Sequence, residues 1–593
     1  MIKMKKVFVI LLVFVSFFAN AQKKKTTTKR IKDTIKTEVV QVVTSYTPKV
    51  SDATKIKKQP KITLSKKNGK KELSYRIFSV PVASTFIPKS GVVKGIDVGK
   101  KERLYNNYLS GGFGNNTTPF FELFLRHSAK FDNEFGLFSN YISSSNGVKN
   151  TLLNSDFSKF TLGLFYYQKE RFFDWKIGLQ SDRKSYNWYG LPNLPFTPST
   201  ILAINETQIY DLFKVHGELI FEDSFINTIS TSISYFKDAV KSKESLILLQ
   251  PKFNFPLRRF SRNLNDLNIN AKLEFLKGEF VRDYPNQGSV SYSIITTSTN
   301  PVYRMNWRDF DIKMGTKLFF SADTQNKRYD FFIYPDVHIS YPVLKDYVTM
   351  FVGSSGDLYT NSYQNLTDKN PYISPTQFIT QTNEKYSFYG GFSGKISKNV
   401  AFNIKGSYKN EEDKPLFVRN NSKSNGTFSS IAGVDLTGYE YGNSFSVFYD
   451  DVQTITGFAE LEIDISKRTS IGVHFQYDAF TLRNQQEAWN LPTVQGAFFG
   501  KYKNDKFFIN TNIFYVGERK GLLYSGTFPS TTNGIQILDS YVDVNLSGGY
   551  HFNDQFSAFV KLNNVLGNEY QRFSHFTVQG FQALAGVTWK FDF

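Results

Sequence analysis

The chain ends with the stretch Phe581–Phe593, which reads F-Q-A-L-A-G-V-T-W-K-F-D-F. Its odd-numbered positions carry Phe, Ala, Ala, Val, Trp, Phe and Phe, whereas its even-numbered positions are mostly polar or small. Alternation with a period of two indicates a β-strand with one apolar face and one polar face. Strands of outer-membrane barrels have this pattern, because lipid contacts their outer face and aromatic residues lie at the membrane interface. The stretch therefore predicts a terminal membrane strand.

The composition agrees with a chain built of such strands. Its 593 residues include 59 Phe, 34 Tyr and no Cys, yet the mean hydropathy is negative. Both properties occur together when each strand has a lipid face and a water face. No uncharged apolar run of about 18 or more residues follows the N-terminus, so no helical membrane span is predicted. The alternative is a large soluble β-sandwich or propeller, for which aromatic strand ends would be a coincidence.

Alternating segments recur from Leu104 to the C-terminus, as in Tyr541–Phe552 and in Gln555–Asn563. In the second of these, Phe559 interrupts the polar face. The segments are joined alternately by short turns and long loops, as in outer-membrane barrels. The sequence thus predicts an all-β fold, a transmembrane antiparallel β-barrel of about 22 strands over residues 104–593. The predicted long loops include Tyr189–Asn205, Leu358–Lys385, Asn410–Gly426, Gln485–Thr493 and Gly517–Ile535.

The first 21 residues have the pattern of a secretory signal peptide. Lys3, Lys5 and Lys6 precede the apolar run Val7–Phe18, and Ala19-Asn20-Ala21 forms an A-x-A cleavage site. The alternative is an N-terminal membrane anchor, but the apolar run is short for one. We therefore expect cleavage before Gln22 and localisation in the cell outer membrane.

A basic N-terminal extension, residues 22–103, follows the predicted signal peptide. It contains 22 Lys/Arg and 6 Asp/Glu, a net charge of +16 out of +20 for the chain. The three lysines of the predicted signal peptide add +3, which leaves the barrel region at +1. A nearly neutral barrel region argues against nucleic-acid binding. We expect the extension to be partly disordered. It is either a solvated tether or a segment that contacts the anionic cell wall, lipid headgroups or an acidic periplasmic partner.

Several short segments resemble the barrel of TonB-dependent receptors. Within roughly the last hundred residues these are Ala488–Pro492, Ile513–Lys520, Leu562–Gln571 and Val578–Phe581, together with the terminal Phe593. In the middle of the barrel, Asn370–Pro375 resembles the N-P-x-L-x-P-E loop motif of the family, with Ile373 in place of Leu and Thr376 in place of Glu. The resemblance implies a wide receptor-type barrel.

The head of the chain carries a second resemblance. Val42–Pro48 is similar to a branch of these receptors common in Bacteroidota, and the stretch Glu38–Val43 resembles the segment that contacts TonB in the family. The resemblance implies TonB contact through Glu38, Val39, Val40, Val42 and Val43. Family receptors also fill their lumen with an N-terminal plug domain. Only residues 22–103 are present here for that purpose, so we expect a reduced plug, a segment in the lumen or a plugless, porin-like barrel.

No pattern of catalytic or metal-binding residues is found in the sequence. The six His residues are separated from one another, and without Cys no thiolate site exists. Glu460, Glu462 and Asp464 form an acidic row on one face of a predicted strand, which we interpret as a lumenal salt network or cation-selective patch. We therefore predict a protein that is not an enzyme and has no cofactor.

Two functions remain open from the sequence. The first is transport of a small solute across the outer membrane, with membrane lipid and TonB or other envelope proteins as partners. The second is a non-transporting barrel subunit of a larger envelope assembly. Substrate specificity in such barrels depends on the long loops.

Overall fold

The strands between residues 104 and 593 form a single β-sheet that closes on itself as a barrel. The computed structural model describes residues 104–593 apart from 130–132, 146, 262–263, 286–287, 432 and 527. Within these residues, 22 strands form one antiparallel sheet, and the first of them pairs with the last. The predicted all-β barrel and its strand number are confirmed. The expectations for residues 1–103, from signal peptide to TonB segment, lie outside the described residues.

The barrel strands are β1 (Asn107–Gly114), β2 (Thr118–Ala129), β3 (Asn133–Ser144), β4 (Phe157–Lys169), β5 (Phe173–Asn187), β6 (Thr207–Phe221), β7 (Ile226–Asp238), β8 (Lys243–Phe255), β9 (Leu267–Phe280), β10 (Val290–Trp307), β11 (Phe310–Asp323), β12 (Arg328–Leu344), β13 (Val348–Thr360), β14 (Gln381–Ser397), β15 (Val400–Arg419), β18 (Phe445–Ser466), β19 (Thr469–Leu482), β20 (Val494–Lys503), β21 (Phe507–Val516), β24 (Tyr541–His551), β25 (Phe556–Asn563) and β28 (Gln582–Phe591).

Three small hairpins and three short helical segments lie in the connections. The hairpin strands are β16 (Ser430–Ile431), β17 (Val434–Asp435), β22 (Arg519–Tyr524), β23 (Thr532–Leu538), β26 (Gln571–Phe573) and β27 (Phe576–Thr577). The helices are α1 (Pro198–Ala203), α2 (Tyr363–Lys369) and one 3₁₀ turn, Leu257–Arg259. In the described part of the chain no helix combines the length and apolarity that crossing a membrane requires.

The terminal strand β28 closes the barrel as the sequence predicts. It pairs with β25 on one side and with β1 on the other, where Gly114 lies opposite Leu584 and Asn107 opposite Phe591. Its odd-numbered side chains point outward, with Val587 61% and Trp589 40% exposed. An exposed apolar row of this kind continues around the barrel and forms the face that lipid contacts.

Glycines explain why aromatic residues interrupt the polar lumen face. Phe559 of β25 lies over Gly586 of β28, where an added Cβ would lie 2.5 Å from the Phe559 ring. Phe138 and Phe165 cover Gly163 and Gly136 of neighbouring strands in the same way. An aromatic ring over a strand glycine fills the space that a missing side chain leaves and fixes the strand register.

The two ends of the barrel differ in their connections. At one end, here called the turn end, β1 begins, β28 finishes, and most connections are two to four residues long, such as 398–399 and 467–468. At the other, here called the loop end, the connections 188–206, 361–380, 420–444, 483–493, 517–540 and 564–581 fold back over the mouth. This alternation agrees with the sequence prediction.

One predicted loop is wrong in part. Residues 410–419, expected within a loop, continue strand β15 beyond the barrel wall, where Lys414–Arg419 pair only with β18. A bulge with Asp413 at φ 51° redirects this extension. Pro415 is compatible with this extension, because Pro is excluded from central strands but tolerated in a strand with a neighbour on one side only.

Candidate functional site at the loop end of the barrel

The connection 361–380, here called the crossing loop, extends from β13 and β14 across the mouth of the barrel. It begins with α2, whose N-cap Ser362 accepts a hydrogen bond from the backbone N–H of Asn365 at 3.1 Å. From there it contacts β6 through β9 on one side of the mouth and the hairpin β26–β27 on another. The crossing loop thus spans the mouth of the lumen at the loop end.

Two buried carboxylates from the barrel wall hold the start of α2. Glu244 accepts hydrogen bonds from the backbone N–H of Tyr363 at 2.6 Å, from that of Gln364 at 3.0 Å and from the Tyr292 hydroxyl at 2.7 Å. Asp238 accepts a hydrogen bond from the Tyr363 hydroxyl at 2.8 Å. A carboxylate is stabilised by the free backbone N–H groups at a helix start. We call this arrangement the carboxylate latch.

The motif Asn370–Pro375 forms the centre of the crossing loop. The Tyr372 ring stacks on the Phe576 ring with centroids 3.8 Å apart, and the Tyr210 hydroxyl donates a hydrogen bond to the Pro371 carbonyl at 2.8 Å. Ile373 is fully buried and forms a parallel bridge with Phe445. Burial raises the pKa of the Tyr372 hydroxyl to about 12. The resemblance motif therefore seats the loop in the mouth.

The hairpin β26–β27 supports the opposite side of the mouth. The Tyr189 hydroxyl donates a hydrogen bond to the Thr577 carbonyl at 2.8 Å, and the Arg519 guanidinium donates one to the Gln571 carbonyl at 2.6 Å. Burial, together with the nearby positive charge of Arg419, lowers the pKa of His575 to about 3, so this side chain is neutral at physiological pH.

A buried ion cluster ties two further connections together. Glu440 in the connection 420–444 bonds to Arg282 and Lys423, each at 2.7 Å, while its side chain is only 1% exposed. Arg282, in the connection between β9 and β10, also donates a hydrogen bond to the Tyr439 hydroxyl at 3.1 Å. A buried charge requires such partners, because its desolvation is costly.

Apolar side chains from these loops and from the strand ends form one buried cluster. It includes Tyr363 and Leu366 of α2, Phe417 and Phe445 of the β15–β18 extension, and Phe576. Its members come from strands β6, β7, β9 and β10, from the β15–β18 extension and from several long connections. Burial of this extent gives the loop end a packed core.

The segments that resemble TonB-dependent receptors fix the other loops. The Asn490 amide donates a hydrogen bond to the Phe417 carbonyl at 2.9 Å, and Asn490 has a φ of 60°. The Asn564 amide donates to the carbonyls of Asn568 and Gln579 at 2.8 and 3.0 Å. Asn tolerates positive φ and caps nearby backbone groups, so these motifs have a structural role.

The structure places the predicted acidic row on the lumen face of β18, apart from the crossing loop. Glu460 is 7% exposed and lies opposite His474, whereas Glu462 and Asp464 lie progressively nearer the turn end, opposite Gly472 and Ser470. The row is not brought together with the carboxylate latch. The predicted TonB segment Glu38–Val43 lies outside the described residues.

Sequence reasoning missed the latch residues Asp238 and Glu244, because each reads as an ordinary polar strand end. The motif around Tyr372 was the one signal in the sequence that could have directed attention to this connection. Among the described residues, no group of three or more His, Cys, Asp or Glu side chains has the arrangement of a metal site.

Comparison with solved structures finds outer-membrane receptors. The ferripyoverdine receptor of Pseudomonas aeruginosa bound to ferripyoverdine is 11% identical, with a TM-score of 0.58 over 83% of this chain and 72% of that chain. The FrpB iron transporter of Neisseria meningitidis is 9% identical, with a TM-score of 0.59 over 83% and 82%. The ferric-catecholate import receptor Fiu of E. coli K12 is 9% identical, with a TM-score of 0.56 over 83% and 82%.

The chain shares the barrel fold of these receptors. This agrees with the resemblance to TonB-dependent receptors in the sequence. No protein-family model and no curated protein matches the chain. At this level of identity the likeness concerns the fold.

Proposed function

We propose that this protein transports a solute across the outer membrane as a TonB-dependent-receptor-type barrel whose mouth is closed by its own crossing loop. The fold shared with iron transporters and import receptors supports transport. The single observation that supports a closed mouth is the carboxylate latch on α2, which fixes the crossing loop to the barrel wall. The loop end would then face the outside, as long loops do in such barrels.

In this proposal the crossing loop is the gate. A lumen enclosed by 22 strands is wide enough to pass water and solutes unless it is filled. Its loop end holds a packed core instead, so passage of a solute requires movement of the crossing loop. The N-terminal extension would supply the TonB contact through Glu38–Val43.

Planar-bilayer conductance of the purified full chain tests the gate. We expect little conductance from the native protein and frequent, large openings from the double variant Tyr372→Ala/Phe576→Ala. The conductance of a second variant, which lacks residues 22–103, shows whether the extension or the crossing loop blocks the lumen. Large, stable pores in the native protein would contradict a closed mouth. Absence of conductance in a double variant that also lacks residues 22–103 would contradict gating by the loop.

TonB dependence requires a separate measurement. We expect a peptide covering Glu38–Pro48 to bind the C-terminal domain of TonB, and a peptide with the Val residues at 39, 40, 42 and 43 changed to Ser to bind more weakly. Equal or undetectable binding of both peptides would remove TonB from the proposal and leave the barrel as a gated channel.

The second candidate function is a non-transporting barrel subunit of an envelope assembly. The packed core of the mouth favours it, because a fixed barrier serves a structural barrel as well as a gated one. This function would be supported if defined envelope proteins co-purify with the barrel and if none of the variants above conducts ions in the bilayer.

A further inference from the structure

Two arginines at the loop end are equally buried. Arg419 ends the extension of β15 and Arg519 begins the hairpin β22–β23, and each residue is 4% exposed. Each guanidinium also lies over a tyrosine ring, at 5.6 Å from the ring centre of Tyr524 for Arg419 and at 5.3 Å from that of Tyr541 for Arg519. The two residues therefore form a matched pair in which hydrogen bonding can be compared directly.

The two guanidinium groups differ in their hydrogen-bond partners. Arg519 donates from Nη1 and Nη2 to the carbonyls of Arg572 and Gln571, and its Nε alone lacks a partner within the described part of the chain. For Arg419, both Nε and Nη1 are buried without a hydrogen-bond partner among the described residues. Burial lowers the pKa of Arg419 from 12.5 to about 10, so this side chain is charged at physiological pH. A buried charge without acceptors is costly, so Arg419 opposes the closed arrangement of the loop end.

The hairpin β22–β23 packs over Arg419. Besides the contact of its ring with the guanidinium, Tyr524 donates a hydrogen bond from its hydroxyl to the Arg419 carbonyl at 2.8 Å. Among the described strands, β22 and β23 pair with each other and not with the barrel wall. A two-stranded hairpin has little stability of its own, so this element can move at a low cost in free energy. Its movement would open the Arg419 guanidinium to the outside.

We propose that Arg419 is a latent oxyanion-binding residue, which receives a carboxylate or phosphate group of a solute when the hairpin β22–β23 moves away from the extension of β15. A guanidinium suits this chemistry, because its planar set of N–H groups matches two oxygens of such an anion. An anion that pairs with Arg419 binds the open arrangement better than the closed one and shifts the population towards opening. The inference rests on the proposed transport function and deepens it, since it assigns an acidic group to the solute.

Thiol labelling of the purified full chain in detergent measures the movement of the hairpin. The chain has no Cys, so Leu522→Cys introduces a single thiol at a position of β22 that packs against the apolar cluster of the loop end. In this parent variant, Arg419→Met should slow labelling about fivefold or more, because the closed arrangement no longer buries a charge without acceptors. Arg419→Lys keeps the charge and should label at close to the parent rate.

The matched control is Arg519→Met, which removes an equally buried guanidinium whose two Nη groups are hydrogen-bonded. This change should speed labelling, because the carbonyls of Gln571 and Arg572 lose their donors. The proposal would be overturned if Arg419→Met labels as fast as the parent variant or faster. It would also be overturned if Arg419→Lys or Arg519→Met is slowed as much as Arg419→Met, because the effect would then not come from an unpartnered charge.

Addition of anions tests the binding itself. Inorganic phosphate and tricarballylate are the probes, and chloride at the same ionic strength accounts for screening. We expect one or both probes to speed labelling of the parent variant in a saturable way and to leave Arg419→Met unchanged. A response to phosphate alone identifies a free inorganic ion, and a response to tricarballylate identifies an acid group on an organic solute. An equal response in both variants, or none in the parent, would overturn the proposal.

The labelling and conductance experiments can fail independently. A barrel that responds to the probes but fails the conductance test would overturn the proposed gate and leave the anion site. A barrel that passes the conductance test but responds to neither probe would overturn the anion site alone.

Discussion

The ring of Tyr372 in the crossing loop lies on the ring of Phe576 in the hairpin β26–β27, with the two planes 20° from parallel. These residues are 204 positions apart in the sequence and belong to different sides of the mouth. Tyr189 packs against both rings, at centroid distances of 5.8 and 5.0 Å. The contact joins the crossing loop to the last large connection of the barrel, so its loss should loosen the whole loop end.

Replacement of Phe576 by Ala should weaken the closed mouth. Truncation of a fully buried Phe costs about 3–5 kcal/mol, and the stacked pair adds about 0.5–1.5 kcal/mol beyond its buried area. We expect faster amide hydrogen exchange at residues 571–577 and in the crossing loop. Phe172→Ala removes a ring that is 66% exposed in a turn and should leave exchange at the loop end unchanged; equal acceleration in both variants would argue against the contact.

Replacement of Glu244 by Ala should release the start of α2. The change leaves two backbone N–H groups and one hydroxyl without their acceptor, at about 1–3 kcal/mol for each buried group. We expect cleavage of the crossing loop by protease, with Glu244→Gln intermediate because its amide oxygen still accepts. Glu222→Ala, at an exposed position of the turn end, is the control. A resistant Glu244→Ala would show that the latch is dispensable.

Replacement of Glu440 by Ala should detach the connection 420–444 from Arg282. Loss of one partner from a buried ion cluster leaves uncompensated charge and costs about 3–5 kcal/mol. Glu569→Ala breaks an exposed pair with Lys149 and should cost about 0–1 kcal/mol. Denaturant titration with a fluorophore on the connection 420–444 measures both values. Similar midpoints for the two variants would contradict the difference in burial.

The stability of the crossing loop should rise with pH above neutrality. Burial lowers the pKa of Lys369, in α2, from 10.5 to about 8, while Asp368 partly opposes the shift. Between about pH 8 and 10.5 the unfolded chain therefore binds more protons at this position than the folded chain, so the free energy of unfolding increases with pH. Proteolysis of the crossing loop should be slower at pH 9.5 than at pH 7. Lys369→Met should remove this difference, and a dependence that persists in the variant would assign it to another group.

Some features of the loop end could be foreseen and others could not. Asn370–Pro375 and the Asn490 and Asn564 segments were recognisable, because turn chemistry is local. The role of Glu244 was hidden, because its partners Tyr363 and Gln364 are about 120 residues away in the sequence. Lys159 and Lys184 likewise appear as unrelated lysines until the strand register makes them opposite.

The alternation from Phe581 to Phe593 and its repetition along the chain determined the barrel, its lipid face and the approximate number of strands. This was possible because a strand side chain points to one of two faces, and lipid and water select different residues for each. Only the tertiary structure decided that residues 410–419 continue as strand, that Phe559 covers Gly586, and that the crossing loop contacts both sides of the mouth. Those outcomes depend on the register between paired strands and on contacts between loops far apart in the sequence, which the local alternation does not encode.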